Sequence, residues 1–231
     1  MQMLWLPLAE MMQGIQIPAG VYFEQLDAES IVTIVELLRR WYPDIVVGSE
    51  SRHLDPIFYQ SQCQLREMSE DRNIYPLVIR TTDTKEIVAM MTLEKNPAGR
   101  QITSPMGAVE PSKRGVGIGQ VGPAVLERFG RAIGAEIALY FATLKSVRPQ
   151  LNAEKHGFRA VGLVRGFDVD AVRPGDHKRV FEILYTKYLG SEADVEIPAW
   201  ENMTPATQVL YSFLYGKHPE VDRSKEGNQL P

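Results

Sequence analysis

Residues 109–120, VEPSKRGVGIGQ, join a predicted strand at 102–109 to a predicted helix at 119–133. The first amide groups of a helix have no intrahelical acceptors and lie at the positive end of its dipole. The segment contains three glycines and two neighbouring cations: Gly115, Gly117, Gly119, Lys113 and Arg114. The glycines let the backbone curl so that successive N–H groups converge, and the cations add positive charge. The segment therefore predicts a binding site for a ligand that carries phosphates.

The spacing of the glycines narrows the choice of phosphate ligand. Gly117, Gly119 and Gly122 satisfy the loose G-x-G-x-x-G dinucleotide pattern, but that fingerprint follows directly from a strand, and here residues 110–114 intervene. A Walker A loop requires Lys-Ser or Lys-Thr after its last glycine, where Gln120 and Val121 stand. A nucleotide hydrolase and a Rossmann-type oxidoreductase, which would prefer NAD to coenzyme A, are therefore the less favoured interpretations.

The elements around this segment alternate between strands and helices. Hydrophobic periodicity and turn residues predict strands at 21–26, 75–80, 86–94, 102–109, 136–143, 159–164 and 178–189. Helices are predicted from Asp27 to just before Pro43, within 53–70, and at 119–133, 145–155 and 205–215. Pro105 and Gly107 predict a bulge or an edge within the strand at 102–109. Strand, helix and strand over 102–143 form one βαβ unit with a parallel pair.

Arg114-x-x-Gly117-x-Gly119, placed after a strand, resembles the acyl-CoA motif of the GNAT superfamily of N-acetyltransferases. Lys155-His156-Gly157-Phe158 is similar to the sequence that ends the family's fourth helix, and the order of elements agrees over residues 21–189. The resemblance implies an α/β (α+β) fold with a mixed, mostly antiparallel central sheet of about six or seven strands, flanked by helices and splayed between two parallel strands. Residues 1–20 are then an N-terminal extension, and 190–231 a C-terminal extension with one helix and a frayed end.

The resemblance also implies a reaction. Acetyl-CoA is the expected co-substrate, and its acetyl group is transferred to a primary amine of a small molecule or protein by direct attack in a ternary complex. The residues expected to contact the cofactor are Ala108, Val109, Lys113, Arg114, Gly115, Val116, Gly117, Ile118, Gly119, Gln120 and Asn152. Ala108 and Val109 would pair with the pantetheine arm, and the amides of 115–120 would hold the pyrophosphate.

The catalytic residues are less well defined, because the tyrosine that usually protonates the thiolate is replaced by Ala153. Tyr140, His156 or water are the alternative acids, and Glu110 and Glu94 are candidate bases. Loss of that tyrosine also leaves open a second hypothesis, a catalytically degenerate CoA-binding or sensor module that keeps the fold.

The composition excludes several classes of function. The 25 basic residues against 29 acidic ones give a net charge of −4 without a basic block, so nucleic acid is not an expected partner. Cys63 is the single cysteine, so no internal disulfide can form, which is consistent with a reducing cytoplasm. Its side chain is expected to be buried and to have no role in catalysis. No apolar run is long enough to span a membrane. The histidines are too scattered for a metal site: His53, His156, His177 and His218.

Aromatic residues form two further groups. Trp41, Tyr42, Phe58 and Tyr59 are expected to pack in the core, with an acceptor pocket as the alternative. The second group gives the C-terminal helix and its approach an apolar face: Trp200, Tyr211, Phe213 and Tyr215. This face is expected to dock back on the domain, and a homodimer contact is the alternative.

Overall fold

A computed structural model describes residues 2–173 and 175–216. The helices are α1 (Leu8–Met11), α2 (Ile31–Trp41), α3 (Pro56–Gln62), α4 (Gly122–Ala132), α5 (Val147–Lys155) and α6 (Pro205–Tyr215). The strands are β1 (Val21–Gln25), β2 (Ile74–Thr81), β3 (Ile87–Asn96), β4 (Gln101–Val109), β5 (Ile137–Thr143), β6 (Arg159–Arg173) and β7 (Asp176–Tyr188). None of the helices described is long and apolar enough to cross a membrane.

Within the described residues, seven strands form one sheet in the order β1-β2-β3-β4-β5-β7-β6. Neighbouring strands are antiparallel except β4 and β5, which the α4 crossover makes parallel. These two pair only from Gln101 and Ile137 to Thr103 and Leu139, and the strands part beyond that point. The predicted fold class, including a parallel pair that splays open, is confirmed.

Helices cover both faces of the sheet. One face carries α4, with Val125, Leu126 and Phe129 buried against β2, β3 and β5. The other face carries α2 and α3, and the predicted stripe of α2 is buried there: Ile31, Ile34, Val35 and Leu38. We call these the α4 face and the α2 face. Successive side chains of a strand point to opposite faces of the sheet, so each strand residue can be assigned to the α4 face or to the α2 face.

Several predicted boundaries are wrong for identifiable reasons. The helix expected at 119 begins at Gly122, after a 3₁₀ turn at Ile118–Val121, and Pro123 suits its first turn. The Asp27 carboxylate accepts from the Ser30 N–H at 2.8 Å, but regular helix starts only at Ile31. In α3, Phe58 is buried as expected, whereas Ile57 is 65% exposed.

The predicted break between the last two strands is the largest error. Instead of a long loop, β6 continues to Arg173 and β7 begins at Asp176, so the two strands form one extended hairpin. Three irregularities in register interrupt the β6–β7 ladder, which is why a plain alternating pattern did not reveal it.

The N-terminal segment contributes to the core. Met3 and Met11 are at most 2% exposed and belong to the cluster on the α4 face. Nearby, the buried Lys95 ammonium bonds the Asp71 carboxylate at 2.6 Å and the Met3 carbonyl.

Contacts divide the chain into a first unit that ends at Leu189 and a second that begins at Gly190. Met3 and Met11 thus belong to the first unit's core, which the sequence did not reveal. In the second unit α6 is regular, and Val209 and Phe213 are exposed.

Candidate functional site

The loop between β4 and α4 requires glycine at two positions. Gly115 and Gly117 have φ values of 89° and 95°, in the left-handed region that other residues rarely adopt. A Cβ atom added at either position would meet nothing within 4 Å. The selection of glycine here therefore comes from the backbone conformation, and space remains open beside the loop.

The amide groups of this loop are free to bind a ligand. Across the part of the chain that the structure describes, the N–H groups of residues 115–119 donate to no protein acceptor, whereas the Gln120 N–H bonds the Gly117 carbonyl at 2.9 Å. Gln120, expected to contribute its amide, is thus engaged within the turn. Ile118 is buried and anchors the loop, and the Asn152 side chain of α5 donates to the Gly119 carbonyl at 3.1 Å. The result is a set of five free amides at a fixed place beside the start of α4.

Two side chains, Arg114 of the loop and Tyr42 directly after α2, reach the last residue of β4. The Tyr42 hydroxyl lies 3.3 Å from both the N–H and the carbonyl oxygen of Val109. Arg114 Nε donates to the same carbonyl at 3.1 Å, and its guanidinium lies 4.7 Å from the Tyr42 ring centroid. Tyr42 therefore does not simply pack in the core, because its hydroxyl bonds the backbone of Val109. Trp41, Phe58 and Tyr59 are buried in the core as expected.

Register determines which backbone groups of β4 face the gap between β4 and β5. The Glu110 N–H bonds the Val88 carbonyl of β3, and the polar groups of an antiparallel strand alternate between its two edges. Val109 and Gly107 consequently direct their N–H and C=O groups towards the gap. Ala108 directs its own groups towards β3, so of the two residues expected to pair with a pantetheine arm, Val109 has the suitable orientation.

The predicted bulge in β4 lies where the gap begins. Thr92 of β3 is opposite Met106, but Glu94 is opposite Thr103, so β4 has one residue more than β3 over this interval. The extra residue falls at Ser104–Pro105, because proline lacks the N–H that a regular ladder needs. The bulge prediction is confirmed.

The two candidate bases lie far apart. Glu94 lines a small cavity of about 180 Å³ together with Thr103 and Leu139, the last paired residues of β4 and β5. Its carboxylate is bonded to Arg52 at 2.8 Å. Glu110 follows the opposite end of β4 and accepts from the Ser112 hydroxyl at 3.0 Å. Since about 20 Å of extended strand separates them, they cannot both serve one reacting centre.

Tyr140 is the first residue of β5 beyond the paired stretch. Its ring lies 6.2 Å from that of Phe158, and burial raises the pKa of its hydroxyl, which therefore keeps its proton at neutral pH. Among the hydrogen bonds of the described residues, none involves this hydroxyl. Ala153, at the position where the family resemblance expects the acid, is fully buried and has no group to offer.

No protein-family model and no curated protein sequence matches this chain. Solved structures do match. Mutant forms of the spermidine/spermine N-acetyltransferase from Vibrio cholerae have a TM-score of 0.58 at 12% identity, with 74% of this chain and 95% of that chain covered. The ribosomal-protein-S18-alanine N-acetyltransferase from Escherichia coli has a TM-score of 0.55 at 11% identity, with 77% of this chain and 99% of that chain covered. The IAA acetyltransferase from Bacillus cereus has a TM-score of 0.52 at 16% identity, with 73% of this chain and 99% of that chain covered. The chain thus has the fold of the GNAT N-acetyltransferases.

Proposed function

We propose that this chain is an acyltransferase that moves an acetyl group from acetyl-CoA to a primary amine of a small molecule or protein. The observation that carries the proposal is the loop at 115–119, whose five free amides and open glycines lie beside the gap between two diverging parallel strands. Two of the similar structures named above are N-acetyltransferases, which supports the same class of reaction.

The residues present fit coenzyme A. The free amides of residues 115–119 would bind the pyrophosphate, with Lys113 and Arg114 exposed at the rim. The gap-facing groups of Val109 and Gly107 would pair with the amides of the pantetheine arm. For this, the Tyr42 hydroxyl and the Arg114 side chain must release the Val109 carbonyl, which they bond through single, partly exposed contacts. Bound acetyl-CoA would supply an activated thioester.

In this proposal each step of the transfer uses a residue around the gap. Glu94 takes a proton from the acceptor ammonium, and the neutral amine then forms the new C–N bond at the acetyl carbonyl carbon. A gap-facing amide of β4 polarises the carbonyl oxygen. As the C–S bond breaks, Tyr140 donates its proton or a hydrogen bond to the departing thiolate. No covalent intermediate on the protein is needed.

Ligand-dependent stabilisation tests this proposal. CoA or acetyl-CoA at about 100 times Kd stabilises a binding protein by about 2.7 kcal/mol, or about 5 to 10 °C for a chain of this size. We expect Gly117→Glu to abolish the CoA-dependent shift, since it adds bulk and negative charge where the diphosphate would lie. Gly14→Glu is the matched control, because Gly14 also has a positive φ of 83° and open space around it. An equal CoA shift in both variants would refute the assignment of the loop.

A CoA-binding module without catalysis is the second candidate, and the buried Ala153 favours it. A panel of primary amines with acetyl-CoA distinguishes the two, with free thiol release as the measurement. Turnover supports the enzyme, whereas CoA protection without thiol release on any amine supports the module.

A further inference from the structure

Four carboxylates of the α2 face converge from opposite halves of the sheet. Glu50 lies in a 3₁₀ segment, Ser49–Leu54, that packs on this face. The other three come from the β6–β7 hairpin: Asp168, Asp170 and Glu182. The Ser49 N–H, next to Glu50 in the chain, donates to the Asp168 carboxylate at 3.0 Å, which brings the segment and the hairpin together. Burial is the largest cause of the raised pKa values of Glu50 and Glu182, Asp168 and Asp170 raise both values further, and Glu182 raises that of Glu50. We call these four residues the acidic cluster.

The acidic cluster lies across the gap between β4 and β5. His53 is fully buried, and its Nε2 lies 3.2 Å from the Thr92 hydroxyl, which fixes the 3₁₀ segment on β3. Glu182 is opposite Thr143, at the end of β5 beyond its pairing with β4. It faces the α2 face, because the next residue, Ile183, packs on the α4 face. Since β4 and β5 lie between β3 and β7, the cluster spans the two diverging strands.

Glu182 has no partner of its own. Its residue is only 8% exposed, yet no hydrogen bond or ion pair in the described part of the chain involves its carboxylate. Two cations lie near the cluster without bonding Glu182: Lys145 bonds the Asp170 carboxylate at 2.8 Å and the Ala171 carbonyl, and Arg179 bonds the Gly166 carbonyl. A largely buried carboxylate without a partner is costly to ionise, and a cation bound beside it would offset that cost, so Glu182 points to a positively charged ligand.

We propose that the acidic cluster binds the charged end of a linear diamine or polyamine whose other amine enters the gap to be acetylated. This deepens the proposed function and rests on it for the transfer step. The distal ammonium group would lie among carboxylates that come from both sides of the gap, and the alkyl chain would lead the other amine into the gap. Binding the distal ammonium group would hold the acceptor chain across the sheet.

Two observations favour a small linear cation over other positive ligands. Among the residues that the structure describes, no group of three or more His, Cys, Asp or Glu side chains is arranged to hold a metal ion. The hairpin also touches the 3₁₀ segment directly: the Ser49 N–H and hydroxyl bond Asp168, and a Cβ at Gly48 would lie 2.2 Å from the Val169 carbonyl oxygen. This contact covers one side of the cluster, which favours a small ligand.

Calorimetric titration of the full chain without acetyl-CoA tests the binding site by itself. We expect 1,4-diaminobutane to bind at least about tenfold more tightly than butylamine, which has the same four-carbon chain and one charge fewer. Glu182→Gln should increase the Kd for the diamine about tenfold and change the Kd for butylamine less than about twofold. Asp176→Asn is the matched control, since it removes the same charge from the same hairpin outside the cluster and should leave both affinities unchanged.

Three results would overturn the proposal: equal affinity for the two amines, no effect of Glu182→Gln, or tighter binding of Mg²⁺ than of the diamine. Thiol release with both amines then separates this inference from the proposed function. Diamine binding without turnover keeps the cation site and removes the enzyme. Turnover with no preference for the diamine keeps the enzyme and removes the cation site.

Discussion

At the scale of single residues, the two tyrosines that face each other across β5 and β7 have opposite surroundings. Tyr140 and Tyr185 are register partners. The Tyr185 hydroxyl is committed to a bond with the Glu154 carboxylate at 2.8 Å, which helps raise its pKa to about 12 after the larger effect of burial. The Tyr140 hydroxyl has no such bond in the described structure and lies where the strands part. Only Tyr140 is therefore available to a ligand in the gap.

Replacing each tyrosine by phenylalanine separates the two roles. We expect Tyr140→Phe to lower kcat for acetyl transfer about 10- to 100-fold, since a proton donor to the thiolate is lost. Its free energy of unfolding should change little, because no protein partner is left unsatisfied. Tyr185→Phe should do the reverse, with lower stability, as Glu154 loses its donor, and nearly normal kcat. Steady-state kinetics with chemical denaturation measures both, and an unchanged kcat for Tyr140→Phe would exclude it as the acid.

At the scale of elements, the β6–β7 hairpin determines what the α2 face can bind. Its strands of 15 and 13 residues extend well past β5. Phe167 stacks on Phe141 of β5 with ring centroids 4.8 Å apart, and Asp168 bonds Ser49. The bonds from the Ser49 hydroxyl and N–H lower the pKa of Asp168 against the opposing effect of burial. These contacts hold the hairpin over the gap.

Removing the carboxylate of Asp168 should loosen this hairpin. We expect Asp168→Ala to increase amide hydrogen exchange in residues 48–52 and 166–172, because Ser49 loses its acceptor and the segments lose their link. Exchange in β2 and β3 should stay the same. With Asp176→Asn in parallel, faster exchange in both variants, or in neither, would mean that the Asp168–Ser49 contact does not hold the hairpin.

At the scale of the whole molecule, buried ionisable groups make stability depend on pH in opposing ways. Burial, together with the neighbouring carboxylates, raises the pKa values of Glu50 and Glu182 from 4.5 to about 7. Between these pH values the folded chain holds protons that the unfolded chain has released, so stability falls as pH rises to about 7. Burial lowers the pKa of His53 from 6.5 to about 4, so this group makes stability rise with pH over that interval.

Glu50 and Glu182 together outweigh His53, so the contribution of these three residues to the free energy of unfolding decreases as pH rises from 5 to 7. The double variant Glu50→Gln, Glu182→Gln should reverse the slope, leaving the rise that His53 contributes. Thermal unfolding across this pH range in the absence of amines measures the change, and Asp176→Asn should retain the original slope. A double variant that follows the unmodified chain would show that these carboxylates are not perturbed.

The sequence by itself determined the order of the strands, the parallel pair and the glycine-rich loop between β4 and α4. These features depend on neighbouring residues: the helical spacing of α2, the apolar run of β5, and glycines whose positive φ angles the local turn requires. Such signals are present before any long-range contact forms. The roles of Glu110, Glu94 and Tyr140 remain proposals, because a residue type at a strand end does not say what lies opposite it.

Only the tertiary structure decided how the halves of the sheet meet over the gap. Glu50 and Glu182 are 132 positions apart in the sequence, and neither has a local pattern that marks it as part of a site. Met3 and Met11 likewise enter the core only because the N-terminal segment packs on the α4 face. The physical reason is the same in each case. Burial and charge–charge interaction depend on distance in space, and the crossover and hairpin set that distance through contacts that no short segment encodes.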